Sequence, residues 1–337
     1  MSNTTSTNKK IVTIGGGSGQ FALLSGLRDL PGIDITAVVS MMDSGGSTGR
    51  LRDELGVLPP GDILKCVLAL SRNREIYREL LQKRFSGENK LKGHSVGNML
   101  LTMLSQYTDD FPESVKALGE ILDSAGTVLP VTIDKATLVA ELTDGRRLYG
   151  EAAIDVPRGE TRGRIKHTFL APHASEEVKV YPPVLEAIRS ADYILIGPGD
   201  LYTSITPNFL VEGVSEAIAR TRAKLVYVVN IMTKFGETDD FTARDFIAGL
   251  ERFLKKTVDI AILNSARPEE KVLEEYRQQK AGLVEIGRRD TWGNRTIIRK
   301  DLLNASGDIA RHDPKKLAGV IKKIIFKSTT SRQADEA

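Results

Sequence analysis

The chain has 337 residues, 41% hydrophobic and 27% charged, enough to bury a full core in one large domain or two smaller ones. Its formal net charge of +3 is spread without the concentrated basic stripe of a nucleic-acid binder, which excludes nucleic acid as the expected partner. Cys66 is the single cysteine, so no intrachain disulfide forms, and His94, His167, His173 and His312 lack metal-ligand spacing. The polar opening MSNTTSTNKK and the absence of any apolar run near the roughly 20 residues that cross a bilayer lead us to expect a cytoplasmic chain without a membrane span.

Residues 1–8 and 328–337 read as polar tails around one α/β domain over 9–327. A strand at 11–14, a glycine loop, a helix over 22–30 and a strand at 35–39 form a βαβ unit. The strands are apolar throughout, as in a parallel sheet covered on both faces. Helices are expected over 62–71, 75–85, 96–106 and 112–122. The stretch 127–170, with an Asp144-Gly145 turn between alternating residues, reads as a small antiparallel β insertion. Strands follow at 193–196, 225–230 and 258–263, then short ones at 283–286 and 295–298, before a last helix over 314–326. The expected fold is a doubly wound, mostly parallel, Rossmann-like sheet with helices on both faces and that β insertion.

In such sheets ligands bind beyond the carboxyl ends of the strands, so the loops after strands are the candidate sites. The first, GGGSGQ, supplies Gly15, Gly16, Gly17, Ser18 and Gly19, small enough for backbone N–H groups to approach an anion. It matches the dinucleotide fingerprint only weakly and lacks the ending of a P-loop. The second, MMDSGGSTGRLRDELG, brings Asp43, Ser44, Gly45, Gly46, Ser47 and Arg50; it suits a phosphate or pyrophosphate, with Asp43 as the ligand of a divalent cation such as Mg²⁺. The third, LKGHSVGNMLLTML, offers His94 as a general base or phosphate donor and Asn98 in the first turn of a helix; Ser95 as a plain cap is the alternative. The last two, YILIGPGDLYTSITPN and VVNIMTKFGETDDFT, contribute Gly197, Gly199, Asp200, Tyr202, Thr203 and Ser204, and Asn230, Thr233, Glu237 and Thr238.

In order, IGGGSG, DSGGSTGRLRDELGVLPPGDI, GHSVGN, IGPGDLYTS and NIMTKFGETDDFT resemble the CofD/YvcK family, from Lys9 to about Phe326. That resemblance implies one of two kinds of protein. One is a 2-phospholactate transferase, which moves a phospholactyl group from an activated guanosine diphosphate donor with Mg²⁺. The other is a gluconeogenesis factor, implied to bind UDP-sugars such as UDP-N-acetylglucosamine and linked to gluconeogenic growth and cell shape; RLRDELGVLPPGDI and GHSVGN are more similar to this kind. Where many members carry two adjacent acidic residues, this chain has Asp43-Ser44, which removes one carboxylate from any metal site.

By the resemblance, the glycine and Asp43 loops flank the phosphates, His94 and Asn98 face the same cleft, and the last two loops hold base and ribose. The leading expectation is a nucleotide-sugar-binding regulator that forms no product, with Asp43 and His94 the candidate catalytic groups if it is instead a transferase. A homodimer and a regulatory protein partner are further expectations. An NAD-dependent oxidoreductase rests only on the weak fingerprint, because the acidic Asp43 falls inside a glycine loop rather than at the ribose position.

Overall fold

The structure, a computed structural model, describes residues 8–88, 90–156, 162–174, 176–287, 292–304 and 307–327. The tail readings fall almost wholly outside them. The elements run β1 (Lys9–Gly15), α1 (Gly17–Leu27), β2 (Ile33–Val39), α2 (Gly46–Leu55), α3 (Gly61–Leu70), α4 (Arg74–Leu81), α5 (Val96–Thr108), α6 (Phe111–Ile121) and β3 (Thr127–Pro130). Next come β4 (Ala136–Leu142), β5 (Arg147–Tyr149), α7 (Glu151–Asp155) and β6 (Ile165–Pro172). The remainder is α8 (Pro182–Ser190), β7 (Tyr193–Ile196), a π-helical turn (Leu201–Ile205) running into α9 (Thr206–Phe209), α10 (Val214–Arg220), β8 (Lys224–Val228), α11 (Ala243–Leu254), β9 (Ile260–Asn264), α12 (Glu270–Gln278), β10 (Thr296–Lys300) and α13 (Pro314–Lys327).

Seven strands form one sheet in the order β10-β9-β8-β7-β1-β2-β3, every neighbouring pair parallel. From β1 the chain walks outward through β2 to β3, then returns to β7 and walks the other way. The order therefore reverses between β1 and β7, where a crevice opens at the strand ends. Central strands are apolar on both faces because helices cover both: Ile11, Ile14, Ile194, Ile196 and Val228 are all buried. Close helix packing relies on small residues, since a methyl at Gly26 of α1 would lie 2.1 Å from the Pro314 carbonyl oxygen at the start of α13.

A separate three-stranded antiparallel sheet, β5-β4-β6, carries α7. It is the expected insertion, but it begins at Ala136: Thr127–Pro130 belongs to the edge of the main sheet, paired with β2. Three other local expectations change. Helix α1 starts at Gly17, so the glycine loop supplies the helix's own first turn. The Asp43 loop is short and runs into α2, which ends on the left-handed Gly56. Residues 283–286 form no strand; Leu283 makes one isolated bridge to Met232. No described helix is long and apolar enough to cross a membrane.

Candidate ligand-binding cleft

A cleft of about 780 Å³ opens at the reversal point, within the size range of small-molecule sites. Its first wall is the N-terminus of α1. Backbone N–H groups of a first helical turn have no partner inside the helix, so those of Ser18 and Gly19 remain available to an anion. The Gly17 N–H is already used, donating to Asp62 Oδ2 at 2.9 Å. Opposite stand Gly199, Thr203 and Ser204; a methyl at Gly17 would come 3.5 Å from Ser204 Oγ. The glycines thus serve two ends. Gly17 takes a left-handed conformation (φ +66°), whereas Gly19 is required by packing, because a methyl there would lie 2.2 Å from the Pro198 carbonyl oxygen.

The second wall is acidic. Asp62, at the start of α3, accepts from Gly17 and from Lys65 Nζ at 2.9 Å. Asp43 accepts from its own loop at Gly45 N, 2.9 Å. Burial pushes the Asp43 carboxyl above its usual range, and the Asp62 charge adds to the effect. Glu151, from α7, is pushed by burial up to about 7, with Asp43 and Asp155 contributing. Asp62 raises Lys65 in turn.

Beyond it, Lys234 reaches into a cage formed by Asp155, Asp200 at 2.7 Å and Glu237 at 3.1 Å. The three carboxylates lie within 4.8 Å of one another, a spacing that suits a cation, and the lysine ammonium fills it. Burial pulls Lys234 down, but Glu237 and Asp200 outweigh it and hold the ammonium charged well above its ordinary range. Burial pushes the fully enclosed Glu237 up to about 8 despite Lys234. Asn230, Thr233, Tyr276, Arg311 and His312 also line the cleft, and Asn230 Oδ1 accepts from Gly199 N at 3.1 Å.

Of the residues singled out in the sequence, Gly16, Gly17, Ser18, Gly19, Asp43, Gly199, Asp200, Thr203, Ser204, Asn230 and Thr233 line this one cleft. Several others stand behind it. Ser47 Oγ meets His94 Nδ1 at 3.0 Å and accepts from Asn98 Nδ2 at 3.2 Å, a buried polar knot between α2 and α5. Ser95 caps α5 by accepting from Asn98 N. Burial and the Arg50 charge lower the His94 pKa. Arg50 donates to the Lys92 carbonyl at 2.7 Å, and Ser44 Oγ accepts from Ala152 N at 3.0 Å, tying the Asp43 loop to α7. Gly15 closes β1, Gly45 and Gly46 turn into α2, a methyl at Gly197 (φ +69°) would lie 3.1 Å from the Val228 carbonyl oxygen, and Tyr202 packs in the core. Glu237 and Thr238 are buried supports of the Lys234 loop.

Asp62, Lys65, Glu151, Asp155, Lys234, Tyr276, Arg311 and His312 were not among the sequence candidates. Lys234 and Asp62 lay inside quoted motifs, NIMTKFGETDDFT and LPPGDI, and carboxylates or lysines beside glycines were the available signal. Glu151 and Asp155 arrive from the insertion, and Arg311-His312 from a segment before the last helix, which no local pattern links to the glycine loop.

The family model for 2-phospho-L-lactate transferase CofD matches residues 11–303. The chain belongs to the CofD family. A family relative from Thermotoga maritima is 41% identical over 321 residues, spanning 94% of this chain and 99% of its own. The gluconeogenesis factor of Bacillus subtilis is 38% identical over 318 residues, covering 94% of this chain and 98% of its own. A crystal structure of a Bacillus halodurans member of the UPF0052 family superposes with a TM-score of 0.86 at 36% identity, over 93% of this chain and 99% of that one.

Proposed function

We propose that this cleft binds a nucleotide sugar of the UDP-N-acetylglucosamine type, and that the protein is a cytoplasmic regulator of the gluconeogenesis-factor kind, coupled to gluconeogenic growth, cell shape and envelope synthesis. The observation that carries the reading is the pairing of two phosphate-suited loops, Gly16–Gly19 and Gly199–Ser204, across the reversal point of a parallel sheet. The diphosphate lies against the Ser18 and Gly19 N–H groups and the Ser204 hydroxyl. The base lies against the half-buried Tyr276, which offers an aromatic face, and Arg311, which offers a cation. The relationship to the Bacillus subtilis gluconeogenesis factor supports the regulatory half of the proposal.

A second reading, a Mg²⁺-dependent transferase of phospholactyl-like groups, is favoured by one observation. Asp43 and Glu151 are both raised by burial and by neighbouring carboxylates, a hard all-oxygen donor set that a divalent cation would relieve. Asp43 and Glu151 would hold the ion, which would supply charge neutralisation at a transferring phosphoryl group. Calorimetric titration with UDP-N-acetylglucosamine, GDP and NAD, each with and without Mg²⁺, separates the readings. The regulator binds the UDP-sugar without metal and forms no product. Mg²⁺-dependent GDP binding assigns the transferase, and tight NAD binding alone overturns both.

A further inference from the structure

Helix α5, VGNMLLTMLSQYT, carries no charged residue in its 13 positions, although one side of it lies at the surface. Gly97, Asn98, Leu101 and Thr102 are buried on its inner side, and Leu100 and Leu104 pack against the core from its flanks. The outer side bears Met99, Met103 and Tyr107, whose four-residue spacing places them in one stripe. Met103 is 63% exposed and Tyr107 88%. Helix α4, packed against α5, exposes Ile76 by 73% and Leu80 by 55%, again four residues apart. A surface helix ordinarily turns charged and polar side chains to water; one that stays apolar on its outer side is suited to being covered.

Charge at the two ends of α5 selects the cover. The N-terminal end is basic. Val96 N donates to the Lys83 carbonyl at 3.0 Å, Arg84 bridges to Ser95 and donates from Nη1 to the Gly93 carbonyl at 2.6 Å, and Lys92 precedes Gly93. Lys83, Arg84 and Lys92 are exposed. The C-terminal end is acidic: Asp109 closes α5 in the left-handed region, Asp110 caps α6, and both are exposed. A lipid surface or a partner of one charge sign would be attracted at one end and repelled at the other. A second α5 running antiparallel avoids this conflict, because a two-fold axis sets acidic end against basic end twice.

We propose that this face is a homodimer interface, in which two α5 helices pack antiparallel about a two-fold axis at Met103. At about 1.5 Å per residue, that register sets Met99 level with the partner's Tyr107. Asp109, about 9 Å along, comes level with the partner's Gly97, at the end where the partner's Lys83 lies. The apolar stripe then covers itself. Lys83, Met99, Met103, Tyr107 and Asp109 are not lining residues of the cleft, so association is tested apart from ligand binding.

Sedimentation equilibrium of the full-length chain is the test. Wild type is expected at twice 36.9 kDa, with a dissociation constant of about 10 μM or tighter. Met103→Glu sets two carboxylates together on the axis and should weaken association about a hundredfold, with an unchanged urea midpoint because the position is exposed. Tyr107→Glu is the second probe should that variant not fold, with the same loss expected. Asp109→Lys should weaken association about threefold, and adding Lys83→Asp to it should recover the loss. Wild type that stays monomeric at about 100 μM overturns the inference. Such a monomer that pellets with phosphatidylglycerol vesicles, and no longer does so as Met103→Glu, assigns the face to lipid instead. A dimer unaffected by the glutamate variants also overturns the inference, because its contact lies elsewhere. A loss in Asp109→Lys that Lys83→Asp deepens overturns the antiparallel arrangement.

Discussion

Gly19 and Pro198 are in backbone contact across the reversal point of the sheet: a methyl group on Gly19 would sit 2.2 Å from the Pro198 carbonyl oxygen. The loop after β1 and the loop after β7 are thus fitted to each other before any ligand enters. Gly19→Ala is expected to cost about 1–3 kcal/mol of stability through this clash. Gly46→Ala, at φ +47° where the added methyl has nothing within 4 Å among the described residues, should cost about 1 kcal/mol from conformation alone. Urea denaturation of the two variants checks the ranking; a smaller loss for Gly19→Ala would contradict the packing account.

The Lys234 cage predicts a partner-dependent loss. Lys234→Met leaves Asp155 and Asp200 without their cation and forces the enclosed Glu237 to bind a proton, and should destabilise by about 3 kcal/mol at pH 8. Adding Glu237→Gln to that variant should recover most of it. Independent, additive losses in a double-mutant cycle would show that the ammonium does not balance these carboxylates.

His312 predicts an acid-side slope. Its folded pKa, about 4, lies below the ordinary 6.5, so at pH 7 the ring is neutral in both states. As pH falls from 6.5 to 4 the unfolded chain takes up a proton that the folded one refuses. Stability is lost across that window, by about 3 kcal/mol in full. Denaturation midpoints from pH 7 to 4 should fall more steeply for wild type than for His312→Asn; parallel profiles would contradict the buried, neutral assignment.

The Ser47–His94–Asn98 knot predicts a split between stability and binding. Asn98→Ala removes a buried donor to Ser47 and should cost about 1–3 kcal/mol while leaving nucleotide affinity unchanged. A large affinity loss at unchanged stability would return His94 and Asn98 to the cleft.

The parallel sheet was legible because its central strands are apolar on both faces, and the glycine loop because four glycines in five positions mark a close approach. What approaches was less legible. The Cα face of Gly19 meets protein rather than ligand, and only the three-dimensional register of the β7 loop reveals it. His94 and Asn98 read as site residues because a polar residue before a helix looks the same whether it faces a ligand or a buried serine. Asp62 stood within LPPGDI without a local sign that its carboxylate reaches the N-terminus of α1. Glu151 and His312 come from segments more than a hundred residues away from that loop in sequence, and no periodicity encodes their arrival.

The central claim is that a nucleotide sugar lies across the crevice between β1 and β7. The most direct measurement is the difference electron density of crystals soaked with UDP-N-acetylglucosamine. The account predicts a diphosphate against the Ser18 and Gly19 N–H groups and Ser204, with the base beside Tyr276 and Arg311. Density for the ligand outside this cleft, or a cleft unchanged at saturating ligand, would contradict it.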